Sequence, residues 1–440
     1  MGIAFALQDS AVGARAEEIV LHLLYQVIAI LFATRVVIWV VRRLGQTDVS
    51  GEILAGLLLG PSLLGSLAPE FSRELFHPST SAIFVGLAQV GLVLLMFQIG
   101  QEFEFKAHLA HDKRTVAVIS AVGLVLPFAM GYLTAPYFFG QLPEPRPNKL
   151  GFSLFFAVAM SITAIPILGR IFMELRLSHT RTAALTIGAA AIDDVTGWLL
   201  LGAIALIVQG KLTFGWAAPR IAGLAVYLAV VFLVVRPWLK RRVAAHLDLS
   251  EALQPGAIAW ILLLLFVSAA ITSKLGVFAI IGGFIIGVAL HDDRRFVQQW
   301  KERVGPLVQT FFLPLFFAYT GLRTDIGSLN GWHGWWLCFL VCAIAFSSKL
   351  AGAYAAARMM GESHRRAATI GVCMNTRALM ELIVLNIGKD LGLLPTSIFT
   401  MLVIMALVST FMATPLIRVL MKDERLPAPD LLPATGPQGH

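Results

Sequence analysis

Charged residues are scarce in this sequence of 440 residues. Asp, Glu, Lys and Arg together make up 14% of the chain, whereas hydrophobic residues make up 58%, and the mean hydropathy is +0.79. Soluble domains carry about 25% charged residues, so no substantial soluble domain fits this composition. The sequence therefore predicts an all-α, polytopic membrane protein.

Two other features are absent. The N-terminal stretch MGIAFALQDSAVGARAEEIV lacks a basic start, an apolar core and a small-residue cleavage site, so we predict no cleaved signal peptide. Cysteine is rare, and Cys338, Cys342 and Cys373 form no CxxC pair and no Cys/His cluster. We therefore interpret them as small core residues and expect no cofactor.

Long apolar runs, in contrast, recur along almost the whole chain. Crossing about 30 Å of hydrocarbon takes about 20 apolar residues in a helix. The runs predict thirteen spans, at 18–41, 50–67, 81–101, 115–137, 149–170, 183–209, 214–235, 255–273, 276–290, 304–322, 332–357, 367–388 and 397–420. Residues 1–17 then form an extracytoplasmic segment, and residues 423–440 form a flexible, polar cytoplasmic tail.

The basic residues predict the orientation of these spans. With the N-terminus outside, 22 of the 34 Lys and Arg residues fall in cytoplasmic segments and nine fall outside. Cytoplasmic loops of membrane proteins carry such an excess. We therefore expect an integral protein of the cell (inner) membrane with an outside N-terminus and a cytoplasmic C-terminus. The net charge of +8 then requires no nucleic-acid partner.

Two parts of the chain resemble each other. The segment ILAGLLLG (53–60) in the second span reappears as IIGGFIIG (280–287) in the ninth, and both contain the GxxxG spacing that lets helices approach closely. The fifth span carries MSITAIPILGR (160–170) and the twelfth carries MNTRALMEL (374–382), and both patterns predict interrupted helices. Because each pair is seven spans apart, its members cross the bilayer in opposite directions. This predicts two inverted repeats, 50–209 and 276–420, as in secondary transporters.

Ionisable residues lie inside these spans, where a charge costs about 2.5–3.5 kcal/mol on insertion scales. Asp193 and Asp194 are adjacent in AAAIDDVTGWLL (189–200), and Lys349 is the one lysine deep inside a span. Adjacent helix positions project about 100° apart, so one carboxylate can pair with Lys349 while the other faces a cavity. The interrupted spans offer oxygen ligands for an alkali cation, namely Ser161, Thr163, Asn375 and Thr376.

Several polar residues also have simpler structural interpretations. The aspartates and the lysine could form a buried ion pair that only fixes helix packing. Arg377 and Glu381, spaced i,i+4 in the twelfth span, are more simply a local structural pair than participants in ion traffic. Tyr319 is expected to make a core hydrogen bond, and HDDRRF (291–296) is expected to be a solvated cytoplasmic turn.

Four motifs resemble those of a known family. GEILAGLLLGPSLLG (51–65), AMSITAIPILGRIFMELRL (159–177), AIDDVTGWLLL (191–201) and MNTRALMELIVLNIG (374–388) are similar, in this order, to motifs of the monovalent cation:proton antiporter-2 family. The likeness covers most of the transport unit and is strongest to plant and fungal endomembrane cation/proton exchangers and their bacterial relatives. Those exchangers usually have Asn-Asp where this chain has Asp193-Asp194, which leaves the transport stoichiometry open.

The resemblance implies a core domain with two crossing broken helices, which moves against a dimerisation domain in a homodimer. It also implies that Asp194 is the principal carrier of cation and proton and that Asp193 pairs with Lys349. We expect Asp194 and Thr163 to contact the bound Na+ or K+. Support for the broken helices is expected from Ala164, Pro166, Arg377 and Glu381.

Together these inferences predict a secondary antiporter, not an enzyme. It would exchange Na+ or K+ for H+ across the lipid bilayer by alternating access, with both ions competing for Asp194. A transporter of a small organic ion on the same inverted-repeat fold is the main alternative, although two aspartates against one lysine disfavour an anion. A cation channel would need a filter-like segment, and an intramembrane aspartyl protease would need its aspartates on different helices.

Overall fold

The computed structural model describes residues 2–46, 48–101, 112–163, 168–169, 171–172, 175, 177, 180–208, 214–250, 252–275, 278–377 and 379–422. Every regular element within these ranges is helical. In chain order, the helices are α1 (Gly2–Arg43), α2 (Asp48–Leu59), α3 (Leu64–Leu67), α4 (Pro69–Leu75), α5 (Ser81–Gln101), α6 (Lys113–Gly140), α7 (Lys149–Ser161), α8 (Arg181–Val208), α9 (Phe214–Val230), α10 (Arg236–Ser250), α11 (Pro255–Lys274), α12 (Ala279–Leu290), α13 (Arg294–Arg303), α14 (Gly305–Leu307), α15 (Leu313–Leu322), α16 (Gly331–Met359), α17 (His364–Met374), α18 (Leu379–Asp390) and α19 (Thr396–Leu420). Five-residue π-helical turns, Val231–Val235 and Val308–Phe312, join α9 to α10 and α14 to α15.

Ten helical segments in the described part of the chain are long and apolar enough to cross a membrane, and α7 and α12 are shorter apolar helices. The predicted all-helical membrane fold is therefore confirmed. The seventh predicted span, 214–235, lies further along the chain, at Ala222–Val243, because α9 continues through the π-helical turn into α10. The first apolar span is Glu17–Arg43, and α1 extends beyond it to Gly2. The predicted tail 423–440 lies outside the described residues.

Both GxxxG segments make close backbone contacts. A Cβ atom at Gly56 would overlap the carbonyl oxygen of Phe317, so α2 packs directly on α15. A Cβ atom at Gly287 would overlap the carbonyl oxygen of Phe97, so α12 packs directly on α5. Each of these helices thus packs on a helix of the other predicted repeat.

The fifth and twelfth predicted spans do not continue as single helices. Helix α7 ends at Ser161, and the next residue, Ile162, is extended with φ −71° and ψ 144°. Helix α17 ends at Met374, residues 375–377 are not helical, and the next described helix begins at Leu379, so the interruption predicted in the twelfth span is present. Ala164 and Pro166, predicted to support the first break, lie outside the described residues.

Helix α8 lies inside the bundle, in contact with α6, α7 and α17. Three buried rings fill the space between α6 and α7, with centroid distances of 5.1 Å between Phe138 and Phe156 and 5.7 Å between Phe152 and Phe156. Asp193 and Asp194, in the middle of α8, are 0% and 1% exposed.

Candidate functional site

Lys349 of α16 and Asp193 of α8 form an ion pair inside the bundle. The distance from Nζ to Oδ2 is 2.9 Å, and both side chains are 0% exposed. Taking two charges out of water costs several kcal/mol for each ion, so a buried pair requires further hydrogen bonds. Those bonds come from α6 and from the end of α7.

Asp193 accepts from three side chains. Besides Lys349, the Ser120 hydroxyl donates to Oδ1 at 2.7 Å, and the Thr163 hydroxyl lies 2.9 Å from Oδ2. Ser120, on α6, is a site residue that the sequence analysis missed. It stands alone in an apolar helix, 73 positions from its partner, and no local pattern marks it. The Asp193 carboxylate is therefore held by groups from three different segments.

Two basic side chains, one from the break after α17 and one from α16, cap the C-terminal end of α7. Carbonyl groups at a helix C-terminus lack intrahelical partners and carry partial negative charge. Arg377 donates to the carbonyl oxygens of Ala159 and Met160 at 2.7 and 2.6 Å. Lys349 donates to that of Ser161 at 2.5 Å. These bonds give a physical reason for two basic residues inside the membrane.

The break between α17 and α18 faces the end of α7. The Thr163 hydroxyl lies 3.0 Å from the carbonyl oxygen of Met374, the last residue of α17, and Ser409 donates to the carbonyl of Asn375. Among the described residues, Asn375 Oδ1 and Thr376 Oγ1 are buried and have no hydrogen-bond partner. Such oxygens are suitable ligands for an alkali cation.

The predicted oxygen ligands do not all turn toward one point. The Ser161 hydroxyl donates to the carbonyl oxygen of Val158 at 2.9 Å, so it is turned back onto α7. Thr163, predicted to act together with Asp194, contacts Asp193. The site therefore contains two groups of oxygens, one bound to Lys349 and one at the break after α17.

The predicted i,i+4 pair in the twelfth span is present, with Arg377 Nη1 at 3.5 Å from Glu381 Oε2 and both side chains 0% exposed. The shorter bonds of Arg377, however, go to α7. Its partners lie 217 and 218 positions away in the sequence. Arg377 thus joins the two broken helices and is more than a local partner of Glu381.

Asp194 is the second buried carboxylate of the site. Adjacent residues on a helix project about 100° apart, so Asp194 cannot share the environment of Asp193. Its charge nevertheless acts on Lys349. The site thus contains two buried carboxylates and one buried lysine.

Ion pairs at one end of the bundle join the starts of several site helices. Asp112 caps the N-terminus of α6, and Arg181 at the start of α8 lies 2.9 Å from Glu362 and 3.4 Å from Asp112. Hydrogen bonds from the hydroxyl and the backbone N–H of Thr115 lower the pKa of Asp112, and Arg181 lowers it further. These contacts hold α6, α8 and the segment before α17 together.

Asp292, the second residue of the turn predicted at 291–296, is exposed and forms ion pairs. Asp292 lies 2.5 Å from both Arg236 Nη2 and His291 Nε2 and also accepts from Lys240. Burial opposes the charged form, but the hydrogen bonds from Lys240 and Arg236 outweigh it and lower the pKa of Asp292 to about 2. These ion pairs therefore connect the turn after α12 to α10.

A bundle of apolar helices with two interrupted helices and a buried lysine beside two aspartates defines an integral membrane ion transporter. Comparison with known families gives the same result. The family model described as sodium/hydrogen exchanger, transmembrane, matches residues 28–423. The chain belongs to this family of transporters, which are not enzymes, and the resemblance inferred from its motifs is confirmed.

Individual relatives support this assignment. The chain is 35% identical over 399 residues to the Na+/H+ antiporter NhaS4 of Synechocystis, which covers 90% of this chain and 96% of that protein. It is 32% identical over 395 residues to K+/H+ antiporter 1 of Saccharomyces cerevisiae, with 86% and 44% covered, so it spans less than half of the yeast protein. The structure of the sodium proton antiporter MjNhaP1 from Methanocaldococcus jannaschii matches with a TM-score of 0.58 at 18% identity, over 92% of this chain and 97% of that one, which supports the fold.

Proposed function

We propose that this protein exchanges Na+ or K+ for H+ and that both ions compete for Asp194. The observation that carries the proposal is the unequal environment of two adjacent buried carboxylates. Asp193 already holds Lys349, Thr163 and Ser120, so it is a poor ligand for a transported cation. Asp194 is then the carboxylate assigned to the ions. Relatives named for Na+ and for K+ exchange support a monovalent cation of either kind.

Neutralisation of the site couples the two ions. A proton or a cation on Asp194 cancels its charge, and a neutral site crosses the low-dielectric barrier more easily than a charged one. Movement of the empty, charged site from one side of the membrane to the other is slow for the same reason. The site therefore changes sides only with a proton or a cation bound, and this produces exchange by alternating access.

We assign the remaining cation ligands to the break after α17. Asn375 Oδ1 and Thr376 Oγ1 are buried oxygens in the described region that lack hydrogen-bond partners. Thr163 bridges the two breaks through Met374 and Asp193. Na+ or K+ would be held there by hard oxygen ligands, together with Asp194.

The helix packing supports two inverted repeats, 50–209 and 276–420. A pseudo-two-fold axis that exchanges the repeats would map the contact of α2 with α15 onto the contact of α12 with α5. In both contacts, the two glycines of the GxxxG motif lie against backbone carbonyls of the neighbouring helix. In the proposed mechanism, the helices around α8 form the core domain, which moves against a dimerisation domain containing α2, α5, α12 and α15.

We infer a homodimer in the cell (inner) membrane, with the N-terminus outside and the C-terminus in the cytoplasm. The excess of basic residues in the predicted cytoplasmic segments supports this orientation. The exposed apolar side chains of α1, which include Ile28, Phe32 and Trp39, support contact with a second copy or with lipid.

The test is ion exchange by the purified protein in liposomes that contain a pH dye. Li+, Na+, K+ and Rb+ are added in turn, with the membrane potential clamped or free. Cation addition should change the internal pH for the unmodified protein and not for Asp194→Asn. The exposed carboxylate variant Glu302→Gln serves as the matched control and should retain exchange. The assignment fails if folded Asp194→Asn still exchanges cations for protons.

A further inference from the structure

A second group of polar residues joins α15 to α18, away from the aspartates. Arg323 directly follows α15, and its Nη2 atom lies 2.6 Å from Oδ1 of Asp390, the last residue of α18. Nη1 of the same guanidinium donates to the Tyr319 hydroxyl at 2.6 Å and to Asn386 Oδ1 at 3.2 Å. The core hydrogen bond predicted for Tyr319 is therefore present. One cationic group is surrounded by three oxygens.

These three oxygens are the kinds that bind hard cations: a carboxylate, an amide carbonyl and a hydroxyl. Asn386 is 3% exposed, and its Nδ2 donates to Thr320 Oγ1 at 2.7 Å and to the Leu382 carbonyl oxygen at 2.9 Å. Because both amide protons are engaged there, the amide oxygen faces Arg323. The orientation of this ligand is set by α15 and α18, not by the guanidinium.

The oxygens are accessible from a cavity. A space of about 140 Å³ lies between α18 and the helices α5, α12 and α15, and its lining includes Tyr319, Ile383, Asn386 and Asp390. Asp390 lies at the solvent-accessible end of this cavity, and 43% of its side chain is exposed. From Asp390 to Ile383 the cavity follows α18 for about 10 Å toward the break at its start. It has room for a cation with several waters.

The neighbouring lysine does not compete for these oxygens. Lys389 lies 4.4 Å from the centroid of the Phe399 ring, and its ammonium donates to the backbone carbonyl of Arg323. It therefore holds the backbone of Arg323 in place. Its ammonium thus binds a backbone carbonyl and a ring face, while its charge also attracts the carboxylate of Asp390.

We propose that Asp390, Asn386 and Tyr319 form a second site for a monovalent cation, which the guanidinium of Arg323 occupies in this conformation. An arriving cation displaces the guanidinium from Asp390 and takes its place among the three oxygens. With the proposed orientation this site faces the outside. Its role as the first stop of the transported ion rests on the proposed exchange function, whereas its capacity to bind a cation does not.

Equilibrium binding of radioactive Na+ and Rb+ to purified protein tests the site. All variants carry Asp194→Asn, so that neither the principal site nor transport contributes. Arg323→Gln should tighten cation binding at least about fivefold, the lower end of ordinary coupling between competing ligands. Arg323→Lys keeps the tethered charge and should bind like the parent. Addition of Asp390→Asn to Arg323→Gln should remove this increase in cation affinity.

Equal affinity with and without Arg323→Gln, in protein of equal thermal stability, overturns the proposal. So does a gain that persists after Asp390→Asn. If Arg323→Gln does not fold, Arg323→Met, which keeps the side-chain length without charge, gives the same comparison. A gain in binding together with an absence of exchange by the unmodified protein would reject the proposed function and leave the second site in place.

Discussion

Lys349 and Asp193 stabilise the bundle only as a pair. Removal of one partner from a buried ion pair leaves an unpaired charge and costs about 3–5 kcal/mol, whereas removal of both costs much less. We predict that Asp193→Asn and Lys349→Met each lower the unfolding free energy by about this amount, and that the double variant is more stable than the sum predicts. The measurement is unfolding in detergent, analysed as a double-mutant cycle.

Additive losses would contradict this account of the pair. Thr196→Ala is the control within the same helix, because its hydroxyl donates to the Ile192 carbonyl one turn earlier. Its loss should be small and independent of Lys349. A coupling energy above about 0.5 kcal/mol for Asp193 with Lys349, and not for Thr196 with Lys349, is the expected result.

The charged residues of the site could be predicted from the sequence, whereas the uncharged residues that donate hydrogen bonds to them could not. Asp193, Asp194 and Lys349 can be recognised without a structure because ionised groups are costly in a membrane. Ser120 cannot, since a serine in an apolar helix is unremarkable until its distant partner is known. Arg377 illustrates a different difficulty: Glu381 at i+4 indicates a local pair, whereas the shorter bonds cross to α7.

At the scale of helices, glycine sets the closest contacts. Gly287 of α12 faces the carbonyl oxygen of Phe97 without room for a methyl group, whereas a Cβ atom at Gly86 of α5 meets no atom within 4 Å. We predict that Gly287→Ala lowers the unfolding free energy by about 1–3 kcal/mol, a typical cost of overpacking. Gly86→Ala should be neutral or slightly stabilising. Thermal unfolding compares them, and equal stability of the two variants would refute the contact.

The bond between α10 and the turn after α12 has a defined pH dependence. The pKa of Asp292 is lowered from 3.8 to about 2, so its contribution to stability is present above about pH 4 and is lost as the pH falls toward 2. Asp292→Asn should lower the melting temperature by about 1–2 °C between about pH 5 and 8, because the group is partly exposed. The difference should shrink below about pH 4.

The measurement is the melting temperature of the unmodified protein and of Asp292→Asn, from below about pH 4 up to about pH 8. Repeating the comparison in His291→Gln separates the effect of Asp292 from that of its histidine neighbour. A difference that grows toward low pH would contradict the assignment. So would a difference that disappears when His291 is replaced.

Helix type and order follow from hydropathy, whereas helix ends depend on tertiary contacts. The apolar runs predict the spans because only a helix satisfies its own backbone in lipid. The seventh span continues past its predicted end, since the Arg-rich segment after it stays helical and pairs with Asp292. Helix α7 ends where its carbonyls meet Arg377 and Lys349, and no sequence window contains both halves of that contact.

At the scale of the whole molecule, the bundle brings together three groups that lie far apart in the sequence. The end of α7, the middle of α8 and the break after α17 meet at one buried location through Thr163, Asp193 and Met374. The proposed inverted repeats would account for such a meeting, because a two-fold relation places corresponding breaks against each other. The family model covers residues 28–423, nearly the whole chain.

Proton release on cation binding tests the central claim most directly. Purified protein in weakly buffered detergent solution is mixed with Na+ or K+, and a pH dye reports the protons released. If cation and proton compete for Asp194, the unmodified protein should release up to about one proton per chain, and Asp194→Asn should release none. Release from Asp194→Asn equal to that from the unmodified protein would contradict the account.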